Sequence, residues 1–177
     1  NLVQDLTYLR EGNATHTTTG VDTWLKRDAQ ARLGAGGTVA QYRTNELTAA
    51  DTDTTNPYNN QGESEWVIVK EGQKFDVTYE NLSNSSVLIN GTETKISKVV
   101  YKYEIVDLPS ADGVGIAQIH PDPTITMTIG SATDNDEPVH VNVDVEFYDE
   151  NGNKINWNDT SAIFALNSLN HWDGSPY

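Results

Sequence analysis

Val139-His140-Val141-Asn142-Val143-Asp144-Val145-Glu146-Phe147-Tyr148 is the stretch on which the fold reading turns. Val139, Val141, Val143, Val145 and Phe147 alternate with His140, Asn142, Asp144 and Glu146. A period of two places the first set on one face of a strand and the second on the other, whereas a helix would scatter both around its axis. Immediately downstream, Asn151-Gly152 within Asp149–Lys154 has the chemistry of a tight hairpin turn. Ile155–Trp157 and Ser161–Leu169 are the strands expected to follow.

Upstream the same language continues. Thr124–Gly130 sets Ile125, Met127 and Ile129 against Thr124, Thr126 and Thr128. Lys95–Val106 places Val99, Tyr101, Tyr103 and Ile105 on one face and Lys98, Lys102 and Glu104 on the other. Glu65–Lys70 is an apolar run between charges, and Gly72 turns it into Lys74–Tyr79. The first third differs. Asn1–Thr19 reads as an extended lead-in with an edge strand. Asp22 or Thr23 caps a predicted helix over Trp24–Leu33, which Gly34 ends. Ala49–Gly62 is a long polar loop by composition. Short strands joined by Gly, Asn and Asp turns predict an all-β antiparallel sandwich with one short N-terminal helix; a parallel α/β sheet would need helices between the strands.

The 177 residues fit one domain with a sizeable core. With 26 acidic and 11 basic side chains the formal net charge is -15, a field that repels polyanions and leaves nucleic acid only a local basic patch to use. Arg10, Lys26, Arg27, Arg32 and Arg43 concentrate cations in the first quarter, where a solvated helix face explains them better than a polyanion site. No cysteine is present, so stability must come from the core rather than from disulfides. No stretch is long and apolar enough to cross a membrane as a helix. The chain opens on Asn1 rather than Met, as a mature or excised segment does.

Catalytic constellations are missing from the sequence: no phosphate-cradling glycine loop, no His-Glu-x-x-His helix, no Gly-x-Ser-x-Gly elbow. His120 in His-Pro-Asp-Pro sits within reach of Asp122, but Pro121 and Pro123 favour a rigid turn. Asp149-Glu150-Asn151-Gly152-Asn153 superficially resembles a calcium loop, yet Thr160 stands where the closing Glu belongs, so a hairpin explains it better. Asp51/Asp53 and Asp134/Asp136/Glu137 are looser carboxylate clusters; they leave calcium open as a cofactor. The Asn-x-Ser/Thr triplets, Asn90-Gly91-Thr92 among them, are expected by accident in so polar a chain. Near the carboxyl end, Asn167-Ser168-Leu169-Asn170-His171-Trp172-Asp173-Gly174 combines amides, a carboxylate and an indole, the mixture sugar sites use; the alternative is that Trp172 plugs one end of the sandwich.

Read in order, Lys70-Glu71-Gly72-Gln73, Val77-Thr78-Tyr79-Glu80-Asn81-Leu82, Lys95–Tyr103, Asp122-Pro123-Thr124, Glu146–Gly152, Lys154-Ile155-Asn156-Trp157 and Ser168-Leu169-Asn170 resemble the variable domain of streptococcal antigen I/II adhesins. That family includes domains of the glucan-binding protein C type and the enterococcal aggregation substances. The resemblance is weakest across Thr7–Gly62. It implies a lectin-like β-supersandwich on a stalk anchored to a Gram-positive cell wall, with a recognition cleft beside which some members hold calcium. It further implies partners among glucans, salivary or other host glycoproteins, lipoteichoic acid and extracellular DNA. Ser168 and Asn170 carry over as site residues, while His171, Trp172 and Asp173 depart from the streptococcal pattern and lean toward the aggregation-substance branch. The family domain continues past Tyr177, so the chain resembles its amino-terminal half, with the carboxyl-terminal half of the same domain as a partner. A non-catalytic recognition domain is the leading reading. A structural stalk module and a carbohydrate-active enzyme are the rivals.

Overall fold

In a computed structural model of the chain, residues 11–24, 65–109, 113–124, 127–131 and 139–156 are described. They form two antiparallel sheets. In chain order the strands are β1 (Thr15–Thr19), β2 (Asp22–Trp24), β3 (Glu65–Lys70), β4 (Lys74–Glu80), β5 (Ser86–Ile89), β6 (Thr92–Asp107), β7 (Val114–Ile119), β8 (Thr128–Ser131) and β9 (His140–Asp149). One sheet runs β1-β4-β6-β5 with β9 on the other side of β6, and the second runs β2-β3-β7-β8.

β6 is the spine of the larger sheet. Its inward residues meet those of β4 in register, Phe75 opposite Tyr103 and Val77 opposite Tyr101. The Phe75 and Tyr103 rings stack at 5.1 Å, and Tyr79 meets Tyr101 edge-on at 5.9 Å. Such cross-strand aromatic pairs add to the burial of apolar area. Val67 and Val69 of β3 and Ala117 and Ile119 of β7 close the core from the second sheet. The chain changes sheets twice at neighbouring glycines. Gly20 (φ 93°) leads β1 into β2, and Gly72 (φ 80°) leads β3 into β4. A side chain on Gly20 would bring its Cβ to 2.8 Å from the Lys74 carbonyl oxygen. Gln73 ties the two crossings together, its Nε2 donating to the Gly20 carbonyl at 2.8 Å.

The structure corrects several readings. Asp22 and Thr23 do not cap a helix; Asp22–Trp24 is extended and pairs with Trp66–Ile68 of β3. The ladder to β3 satisfies the backbone of this segment and overrides a local capping signal. The remainder of the predicted helix lies outside the described residues. The strand expected at Thr124–Gly130 starts only at Thr128, because the Asp122 carboxylate accepts from the Thr124 amide (2.9 Å) and hydroxyl (2.7 Å) and curls the chain there. Met127 and Ile129 nonetheless pack on the core, as the alternation requires. Ile155 is buried, but among the described residues after β9 (150–156) the pairing is an isolated bridge from Tyr148 to Lys154 rather than a strand, and Trp157 lies outside the described residues. Val143, read as core-facing, is 49% exposed, although Val139, Val141, Val145 and Phe147 pack on the core. The edge strand expected in the lead-in is β1, and the hairpin at Asn151-Gly152 is present, with Gly152 at φ 79°. The expected strand Ser161–Leu169, the loop Ala49–Gly62 and the clusters Asp51/Asp53 and Asp134/Asp136/Glu137 lie outside the described residues.

Phe75→Ala should therefore lower unfolding free energy by about 3–5 kcal/mol, read from the urea midpoint at unchanged m-value. An effect under ~1 kcal/mol would mean that the ring is not a core element.

Candidate ligand-binding site

Ser168, Asn170, His171, Trp172 and Asp173 lie outside the described residues. Among the described residues, polar side chains converge between the sheets beside the turn after β7 and in a groove along β4, β6 and β9.

The first begins with three tyrosines. Alternation drives Tyr79, Tyr101 and Tyr103 inward, and their hydroxyls then need partners. Tyr79 donates to the His120 carbonyl at 2.7 Å, and Tyr101 donates to the Pro123 carbonyl at 3.2 Å. Burial pushes the Tyr79 and Tyr103 hydroxyls far above their usual range, and Tyr101 up to about 12 with Asp122 nearby. They are permanent donors. Both His120 and Asp122 are buried, and the His120 Nδ1 has no hydrogen-bond partner. Burial drives the imidazole down to about 4, and the Asp122 charge offsets only part of this. The Pro-bounded turn is thus structural, as its sequence suggested. At the margin, His16 Nε2 and the Thr18 hydroxyl reach the two oxygens of Glu65, at 3.0 and 2.8 Å, tying β1 to β3 across the two sheets. Burial raises Glu65, but the bonds from His16 and Thr18 outweigh it and leave the carboxyl below its ordinary value.

The second is an open groove of about 500 Å³. Asn81 and Leu82 form one wall, Ser97 and Lys98 the floor, and Tyr148, Asp149, Glu150 and Gly152 the other wall. Strand parity explains this: Lys98 and Tyr148 are cross-strand partners on the outer face, and the ammonium lies 4.3 Å from the ring centroid. Glu146 organises the neighbouring lysines. It accepts from the Tyr148 hydroxyl at 2.6 Å and pairs with Lys102 at 2.9 Å and Lys154 at 3.5 Å. The Tyr148 bond first, then Lys102, hold it down to about 2. Lys95 pairs with Glu150 at 3.4 Å. The positive side chains here are therefore largely spoken for.

A glycosidic acid needs a carboxyl raised toward neutrality. Among the described residues, every carboxyl with a resolved shift (Glu11, Glu65 and Glu146) is lowered. In the hairpin after β9, Asp149 Oδ1 accepts from the Asn151 and Asn153 amides, both at 2.9 Å, as a turn cap. Among the described residues no group of three or more acidic or imidazole side chains could hold a metal ion. Sequence reasoning missed the groove, because its walls come from segments more than forty residues apart. It also missed β5 and its turn, Asn90-Gly91 (φ 49° and 79°), although Asn-Gly between apolar residues is a hairpin signal.

Two antiparallel sheets bearing an open polar groove define an all-β domain. The family model for glucan-binding protein C matches residues 1–176, and the chain belongs to that family. Among solved structures it is similar to the glucan-binding protein C of Streptococcus mutans, described as mediating sucrose-independent and sucrose-dependent adherence. There the identity is 33% and the TM-score 0.57, over 82% of this chain and 40% of that one. It also shares its fold with the adhesin domain of PrgB from Enterococcus faecalis, bound to DNA (23% identity, TM-score 0.58, 80% and 49% covered) and on its own (19%, 0.56, 85% and 54%). The chain thus spans about half or less of the chains it matches.

His120 sets a pH dependence. An imidazole near 4 in the fold and 6.5 when free contributes stability that is complete above about pH 6.5 and is lost as pH falls toward 4. Urea midpoints of the wild type should drop more steeply across that window than those of His120→Asn. Parallel curves would remove His120 from the account.

Proposed function

We propose that this chain forms part of a Gram-positive surface adhesin and binds glycan polymers of the glucan class, without turnover, along the Tyr148 groove. The observation that carries the reading is the groove's composition: a tyrosine ring among amide, hydroxyl and carboxylate groups, in a member of the glucan-binding protein C family. Sugars present C–H faces and hydroxyls together, and this mixture answers both. Ser168, Asn170, His171, Trp172 and Asp173 are proposed as further contacts, since the same mixture recurs there. The adherence described for the streptococcal relative supports the cellular role and the extracellular, wall-anchored location.

A second reading takes a polyanion, lipoteichoic acid or DNA. It is favoured by the gathering of Lys95, Lys98 and Lys102 on β6 with Lys154 in the segment after β9, and by the DNA-bound state of PrgB. Against it stand the carboxylates that already pair three of these lysines and the net charge of -15.

Binding to dextran, lipoteichoic acid and duplex DNA, measured at about 50 and 200 mM salt, separates the readings. The glucan reading expects dextran binding that changes little with salt and weakens roughly tenfold in Tyr148→Ala, the loss of about 1.4 kcal/mol. Affinity for DNA or lipoteichoic acid that collapses with salt, with dextran ignored, would replace it. Indifference to all three would leave a spacer.

A further inference from the structure

Glu11 is among the most deeply buried side chains of the described residues, at 1% exposure, yet it carries a carboxylate. Its partners come from one short loop between β4 and β5. Oε2 accepts from the Ser83 amide at 2.6 Å and the Ser83 hydroxyl at 3.3 Å. Oε1 accepts from the Asn84 amide at 2.8 Å and the Ser85 hydroxyl at 2.6 Å. Two donors meet each oxygen. Consecutive amides flanked by hydroxyls form a concave anion receptor, and a two-plus-two pattern suits the flat, two-oxygen shape of a carboxylate. All four donors are neutral. Burying a carboxylate is costly unless it is hydrogen-bonded throughout, so this receptor works by geometry rather than by net charge.

The loop is shaped around this guest. Asn81 enters it in the left-handed region (φ 59°) and the Leu82 amide donates to the Ser97 carbonyl. On leaving the loop, the Ser85 carbonyl accepts from the Ile96 amide. Glu11 arrives from 72 to 74 residues away in sequence. A turn closed by the Ala14 amide on the Glu11 carbonyl then delivers the chain into β1, where the Thr15 hydroxyl accepts from Asn81 Nδ2 at 3.0 Å. Asn81 and Leu82 are also one wall of the groove.

The geometry points to a carboxylate-binding site in the Ser83–Ser85 loop whose resident ligand is the chain's own Glu11, so that the arm bearing Glu11 latches the groove wall. The site's existence does not depend on what the groove binds; only its consequence for recognition rests on the reading above. With the arm seated, the wall is set for a ligand. With it withdrawn, the loop presents four convergent donors to another carboxylate.

Chemical rescue tests this. Glu11→Ala should lower the thermal midpoint by roughly 5–10 °C, since buried donors lose their acceptor. Sodium acetate at about 200 mM should recover at least half of that loss, by binding the folded state only. Sodium chloride at equal ionic strength and acetamide should recover little, acetate should leave the wild type unmoved, and adding Ser85→Ala should weaken the rescue. Acetate acting no better than chloride would overturn the site. Should Glu11→Ala not fold, NMR of the wild type decides: the Ser83 and Asn84 amide shifts should follow one titration lying below pH 4.5. Shifts indifferent to it, or titrating at 4.5 or above, would overturn the site equally. Dextran affinity that falls in Glu11→Ala and returns with acetate extends the latch to recognition. Rescue of stability without dextran binding in any variant would sink the glucan reading and leave the carboxylate site standing.

Discussion

The hydroxyls of Tyr79 and Tyr101 impose the constraint on which the rest of the structure depends. Each ring must be inside, because the alternation of β4 and β6 puts it there, and each oxygen must still be bonded. Both are satisfied by carbonyls of the His120–Pro123 turn, at the end of a strand in the opposite sheet. The sheets are thereby joined at defined points rather than merely pressed together by apolar contact. The proline-bounded turn is the natural partner for such a bond. Pro121 and Pro123 lack amide hydrogens and restrict the backbone, which presents the His120 and Pro123 carbonyls in one orientation. His120 buries its ring at this joint, and the unpartnered Nδ1 is the local penalty of the arrangement.

Alternation made most of the larger sheet readable. The inward sets of β4, β6 and β9 follow from period two, with Val143 the exception. Where the reading failed, a longer-range partner had overridden a local signal. Asp22 and Thr23 have helix-capping chemistry, but β3 offers a strand ladder to the same backbone. Thr124 belongs by pattern to a strand, but Asp122 two residues earlier claims its amide and hydroxyl. β7 carries a glycine and little alternation, so its sequence has no contrast to detect. The groove was illegible for another reason. Lys98 and Tyr148 become neighbours only through the β6–β9 register, and that register includes two irregularities, at Ile96/Lys98 and Ile105/Asp107, that no pattern announces.

Burial of Glu11 shows the same limit in sharper form. A lone glutamate in a polar lead-in reads as solvated surface, and nothing in Glu11-Gly12-Asn13 marks it otherwise. The counterpart signal, Ser83-Asn84-Ser85, was legible only as part of two consecutive Asn-x-Ser triplets, Asn81-Leu82-Ser83 and Asn84-Ser85-Ser86. Read as donors rather than as modification sites, two serines flanking an asparagine are the ingredients of an anion nest. Composition cannot tell that the nest is filled from within.

Electrostatics then decides what kind of binder the described surface can be. A chain of net charge -15 can hold a polyanion only by concentrating free cations in one place. Lys95, Lys102 and Lys154 are instead each met by a carboxylate, with Glu146 serving two of them while bonded to Tyr148. Displacing Glu146 to free those lysines would give up its charge-assisted bonds, and a carboxyl held near 2 is still ionised in mild acid. The groove is therefore close to neutral where the rest of the protein is acidic. On the proposed glucan reading a neutral polar polymer would meet no repulsion there, whereas a polyanion would first have to break the lysine–carboxylate pairs. The DNA-bound PrgB domain shares the fold at 23% identity, a level at which the lysine–carboxylate pairing of one surface need not resemble that of the other.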